Sequence, residues 1–194
     1  MSSPQDATGL ERPERVFILS GPSGVGKNTL AERLCEEGTA VRAVTATSRE
    51  PREGEEDGVD YYFVSEHEFR RWLREGRLLE HNVYGGNYYG TPAFSINRAA
   101  QEGKPVLLVI DVNGALEIKR RWPGVHLFFI APPDEEALER RLRGRGEEDE
   151  QSVQFRLQRA REEMELAQRY DETVVNDRIE DAVAELRDLI RDEI

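Results

Sequence analysis

Apolar residues along this chain follow two rhythms. Residues 16–19 and 106–110 are unbroken apolar runs, and 125–130 is interrupted only by His126. Runs of that length fit strands buried on both faces, as in parallel sheets. Between and after them the spacing changes. Leu30, Ala31, Leu34 and Cys35 share one side of a helix that ends at Gly38, with a second strand near 41–44. Further helices are predicted from about Pro92 and over 114–121, on either side of the 106–110 strand. Pro132, Pro133 and Asp134 read as a turn and N-cap ahead of inward-facing Leu138 and Leu142. Val153, Leu157, Ala160, Met164 and Ala167 step by four, three, four and three residues, predicting a long amphipathic helix. A strand at 173–175 and a helix with Val183, Leu186 and Ile190 inward follow. The alternation predicts an α/β fold, a parallel sheet flanked by helices.

The middle breaks this rhythm. Residues 45–58 are polar and turn-rich, and Tyr61, Tyr62, Phe63 and Val64 read as a short strand. Ser65 to Glu68 form a capping box, and Phe69, Trp72 and Leu73 make the apolar face of a helix that Gly76 ends. Two strands around Gly85-Gly86 follow. A small α+β lobe at 45–92 is thus expected to interrupt a core at 15–44 and 93–194. Residues 1–14 are polar and are expected to form a disordered leader.

Between the first strand and helix lies Gly21-Pro22-Ser23-Gly24-Val25-Gly26-Lys27-Asn28-Thr29. Strand, glycine loop, helix is the setting of a P-loop. Its glycines let successive N–H groups point inward, and the helix N-terminus adds to that positive field. Lys27 adds a mobile charge for β- and γ-phosphates. Only three of the 27 basic residues are lysines, so a chain that otherwise writes Arg has Lys here. Asn28 stands where Ser or Thr would offer Mg²⁺ a hydroxyl, leaving Thr29 as the neighbouring candidate. Asp111 closes the 106–110 strand, so it is expected on the same rim as the P-loop.

A net charge of −12 disfavours a nucleic-acid polymer or an anionic membrane as partner. Cys35 is the only cysteine, which rules out an intrachain disulfide and a cysteine-based zinc site, and it is expected to be a core thiol. His81 and His126 have no metal-ligand spacing, and no protein-held metal is assigned. No signal-peptide h-region or membrane-length apolar run occurs, so a cytoplasmic location is expected. Two arginine groups stand out for binding small anions: Arg49 and Arg52 in the middle stretch, and Arg141, Arg145 and Arg156 around Gly144 and Gly146. The second group, at 141–156, has the composition of a mobile lid. Arg143, Arg159 and Arg161 are read as solvated, Tyr62, Tyr84 and Tyr88 as packing residues, and His67 as exposed.

With these residues in view, the chain resembles guanylate kinases. GPSGVGKNTL, TSREPREGEEDGVDYYFV, LLEHNVYGGNYYGTP, LLVIDVNGA, FFIAPPDEEALERRLRGRG and VVND occur in that family's order. The resemblance implies an ATP socket at residues 21–29, namely Gly21, Pro22, Ser23, Gly24, Val25, Gly26, Lys27, Asn28 and Thr29. It implies that 45–92 is a GMP-binding lobe, and that MgATP and GMP, with dGMP as a further acceptor, give ADP and GDP. By motif position, Arg49, Arg52, Tyr61 and Tyr89 would hold the GMP phosphate, and Thr45, Glu80, Thr91 and Asp111 would lie about the base. Glu80 would accept from guanine N1 and the 2-amino group, which adenine cannot match. Lys27, Arg141, Arg145 and Arg156 would neutralise the transferring phosphoryl. Mg²⁺ would arrive with ATP, near Thr29. Val109 departs from the family, which usually has an acid there. A non-catalytic, protein-binding module of related fold is the alternative, and such modules typically lack an intact P-loop and lid arginines.

Overall fold

The computed structural model describes residues 9–11, 13–144 and 150–192. Its first half runs β1 (Val16–Ser20), α1 (Lys27–Glu36), β2 (Val41–Arg42), β3 (Ala46–Thr47), β4 (Tyr62–Phe63), α2 (Glu66–Arg74), β5 (Leu78–Tyr84), β6 (Asn87–Pro92) and α3 (Ala93–Ala100). The second half runs β7 (Val106–Val109), α4 (Val112–Arg121), β8 (His126–Ala131), α5 (Glu135–Arg143), α6 (Glu150–Met164), β9 (Glu172–Val175) and α7 (Ile179–Asp192). A 3-10 turn at Ala167–Arg169 precedes β9.

Two sheets divide the elements. The larger has the order β2-β7-β1-β8-β9 with every pairing parallel. Strand alternation sends its side chains into two cores. Val16, Ile18, Leu108, Leu127 and Phe129 face Ile96, Ala115 and Ile118 of α3 and α4. Phe17, Leu19, Leu107, Phe128 and Ile130 face Leu30, Leu34, Leu142, Leu157 and Leu186 of α1, α5, α6 and α7. Both faces being covered explains why these strands read as continuous apolar runs. The second sheet, β4-β3-β6-β5, is mixed, and α2 closes a smaller core on it with Ala46, Phe69, Trp72 and Leu78.

Several expectations need correction. β3 lies inside the stretch read as turns; two residues are too few for any periodicity to show, and antiparallel pairing with β6 holds them in place. Met164 is exposed and α6 stops there, because the chain turns into the 3-10 segment instead of continuing the stripe to Ala167. Cys35 is half-buried, and burial pushes its thiol up. Most of the leader lies outside the described residues, yet its described part is ordered. Leu10 is buried in the first core, and Asn97 binds the backbone on both sides of it, donating to Gly9 O at 2.9 Å and accepting from Glu11 N at 3.0 Å. Among the described residues no helix is long and apolar enough to cross a membrane.

Candidate active site

The carboxyl ends of β1 and β7 lie side by side, which brings the glycine loop next to Asp111. The loop curls because its glycines adopt conformations closed to other residues. Gly21 has φ 135°, and a Cβ there would lie 2.2 Å from Ile130 O. Gly26 has φ 92°, and a Cβ there would lie 2.6 Å from Asn176 Nδ2, which itself donates to Val25 O at 2.7 Å. Asn176, from the VVND motif, thus pins the loop from behind. Lys27 opens α1, and its Nζ donates to Gly21 O at 2.6 Å and Pro22 O at 2.8 Å.

A cavity of about 330 Å³ spans the space between this loop, the second sheet and α6. From the predicted set, Gly21, Ser23, Lys27, Asn28, Thr45, Arg52, Tyr61, Glu80, Tyr89, Asp111 and Arg156 line it. Val109, the position departing from the family, also faces it. The other predicted residues stand elsewhere. Pro22, Gly24, Val25, Gly26 and Thr29 shape the loop and the first turn of α1. Thr91 is buried behind Glu80 and donates its hydroxyl to Glu80 Oε1 at 2.6 Å. Arg141 donates to Asp177 O at 3.2 Å, and its Nη1 is buried with no partner among the described residues. Arg145 lies outside the described residues. Arg49 is set behind the wall: both arms of its fork bind Glu55 at 2.9 Å, and it lies 5.7 Å from the Tyr61 and Phe63 rings. A carboxylate six residues along the same loop reaches this guanidinium first, so Arg49 is braced rather than open.

Glu80 is the most unusual group in the cavity. It is 6% exposed, and burial pushes its carboxyl up to about 7, with nearby Asp111 adding to the rise and the Thr91 hydroxyl opposing it. Its second oxygen fits against Gly114, where a Cβ would come within 2.8 Å of Oε2. A buried carboxylate held by the hydroxyl and backbone N–H of Thr91 retains capacity for a ligand that brings N–H groups.

Besides Gly90, Val109 and Ile110, four cavity residues were absent from the predicted site. Alternation along β5 puts Asn82 and Tyr84 on the face that carries Glu80, and Arg159 and Glu163 face them from α6. Arg159 lies 5.4 Å over the Tyr84 ring and donates to Glu163 at 3.3 Å. Burial raises the Glu163 carboxyl, while Arg159 and Lys27 pull it down. The solvated reading of Arg159 and the packing reading of Tyr84 are therefore both corrected; charge count on a helix face does not reveal which turn meets a neighbouring sheet. By contrast, Tyr62 packs on Phe94 and Tyr88 on Phe69, and Arg143 and Arg161 pair with surface glutamates.

The glycine loop between β1 and α1, with its lysine on the rim of a parallel sheet, makes this a P-loop α/β protein. The family profile described as guanylate kinase matches residues 13–193. A guanylate kinase of Gloeobacter violaceus is 46% identical over 181 residues, covering 93% of this chain and 88% of that protein. One from Thermobifida fusca is 43% identical, covering 96% and 95% respectively. The crystal structure of guanylate kinase from Anaplasma phagocytophilum aligns with a TM-score of 0.75 at 34% identity, covering 92% of this chain and 85% of that one. The chain belongs to the guanylate kinase family.

Proposed function

We propose that the protein transfers the γ-phosphoryl group of ATP to GMP, giving ADP and GDP. The observation that carries the reading is the pairing, across one cavity, of a P-loop lysine with a buried carboxylate able to select guanine. Guanine would enter with N1–H and its 2-amino group directed at Glu80, and Thr91 holds that carboxylate in place. Adenine presents an acceptor at N1 and would leave the buried group unpaired. Thr45, also on the cavity wall, completes the base side. The GMP phosphate would meet Arg52, Tyr61 and Tyr89, with Arg49 adding charge from behind. An oxygen of that phosphate then forms a bond to the γ-phosphorus as the bond to the β,γ-bridging oxygen breaks, and ADP leaves.

Lys27 and Arg156 face the cavity where negative charge would gather, and Arg141, which stands off the cavity wall, is assigned with them by motif. Arg145 is assigned to the same group by motif. Mg²⁺ delivered with ATP would come to the glycine-loop end of the cavity, where Asn28 offers a side-chain oxygen on the wall and Thr29 follows it on the first turn of α1. The ion would supply neutralisation of the β- and γ-phosphates. The division into core, GMP lobe at 45–92 and lid at 141–156 is part of the same proposal. A cavity that keeps Lys27, Arg52 and Glu80 together offers nothing to the non-catalytic alternative. A coupled ADP-release assay with ATP and GMP, AMP, CMP or UMP tests the activity. Turnover restricted to GMP is expected, and no turnover with any acceptor would refute it.

A further inference from the structure

On the hairpin β5–β6, the side chains facing the cavity form successive rows. Glu80 and Thr91 make one row, joined by their hydrogen bond, and Asn82 and Tyr89 make the next, as directly paired cross-strand neighbours. Adjacent rows on one face are about 7 Å apart, comparable to the reach from the pairing edge of a purine to its sugar. If guanine sits on Glu80 and the phosphate on Tyr89 and Arg52, the sugar lies opposite Asn82.

Asn82 is fixed in orientation. Its Oδ1 accepts from Val83 N at 2.8 Å, and its Nδ2 donates to Asp111 Oδ2 at 2.8 Å. The other oxygen of Asp111 caps α4 by accepting from Gly114 N at 2.9 Å. Among the described residues, one N–H of Asn82 and one lone pair on each Asp111 oxygen remain. A donor beside an acceptor matches a hydroxyl, which both accepts and donates. Guanine's 2-amino group lies on the sugar side of the edge that Glu80 would hold, so the first hydroxyl beyond it is the 2′ one.

We propose that Asn82 and Asp111 form a subsite for the ribose 2′-hydroxyl, so that the protein prefers ribonucleotide over 2′-deoxyribonucleotide acceptors. This rests on the GMP reading above and adds a sugar specificity to it. Asn82 comes from the second sheet and Asp111 from the end of β7, so the subsite is complete only when both parts of the fold face the same acceptor.

Steady-state KM for GMP, 2′-deoxyGMP and 3′-deoxyGMP, measured with saturating ATP for the natural protein and Asn82→Ala, tests it. A hydroxyl bonded to a charged group predicts a KM for 2′-deoxyGMP about tenfold above that for GMP. Asn82→Ala should then raise KM for GMP several-fold more than for 2′-deoxyGMP, closing the gap between them, which a merely structural role would not do. Equal KM values for GMP and 2′-deoxyGMP in the natural protein, a loss confined to 3′-deoxyGMP, or an equal rise for both in Asn82→Ala would each overturn the subsite. Absence of GMP turnover in the natural protein would instead overturn the activity, and the subsite with it.

Discussion

Glu80→Gln should make the protein more stable at pH 8 while disabling guanine selection. Burial holds the folded carboxyl at about 7, against 4.5 in an open chain. The folded state therefore binds this proton more tightly than the unfolded one. The stabilising effect is complete below about pH 4.5 and is lost as pH rises through about 7. At 1.36 kcal/mol for each pKa unit, the ionised Glu80 costs the fold about 3 kcal/mol at pH 8. Glutamine keeps the acceptor for the Thr91 hydroxyl and the packing against Gly114 but carries no charge to desolvate. The amide's own N–H groups then lack a carboxylate partner, so the net gain falls below that ceiling, to about 1–2 kcal/mol.

Urea unfolding at pH 5 and pH 8 measures this directly. Trp122 is buried against the parallel sheet and Trp72 in the core of the second sheet, so fluorescence follows both. The difference in unfolding free energy between variant and natural protein should grow with pH across the 4.5–7 window. A difference that is the same at pH 5 and pH 8 would refute the argument. With GMP, the variant should lose the double acceptor and fall about a hundredfold or more in kcat/KM.

Three further outcomes are expected. GMP binding near pH 6.5 should release protons, because guanine N–H groups favour ionised Glu80; calorimetry in buffers of different ionisation enthalpy detects this, and proton release unchanged in Glu80→Gln would count against it. Arg52→Ala should weaken GMP by roughly ten- to a hundredfold with little effect on ATP, whereas Lys27→Ala should mainly damage ATP binding and turnover; equal losses for both nucleotides in both variants would refute that division of labour. Val109→Asp, which places a carboxylate on the cavity wall, should lower the Mg²⁺ needed for half-maximal rate by about tenfold, with some stability lost to its desolvation; an unchanged or higher Mg²⁺ requirement in the folded variant would show that position 109 does not limit metal use.

Much of the fold was legible because its signals are local. Val16–Ser20 and the P-loop declare themselves by an apolar run and by glycines whose φ values the turn demands. Ser65 and Asp134 cap α2 and α5 through bonds to residues three positions on, an interval readable in the chain itself, whereas Asp111, read as the end of a strand, also caps α4. β3 was not legible, because a two-residue strand has no period and is made by its partner.

The site divides along the same line. Motif position located most of the cavity wall, yet it could not say which donors were already engaged. Arg49 and Arg52 look equivalent in the sequence, and only the fold shows Glu55 gripping the fork of one while the other faces the cavity. Glu80 and Gly114 are 34 positions apart in sequence, and nothing along the chain marks the glycine as the notch that seats the carboxylate. Asn82, Tyr84, Arg159 and Glu163 escaped for the same reason, since each matters through an element far off in sequence. A side chain's type is written locally, but whether its hydrogen-bonding capacity remains open to a ligand depends on neighbours brought in by tertiary packing. That is why a buried carboxylate whose ionisation costs the fold about 3 kcal/mol above neutral pH can persist: the cost is borne where a ligand's N–H groups would offset it.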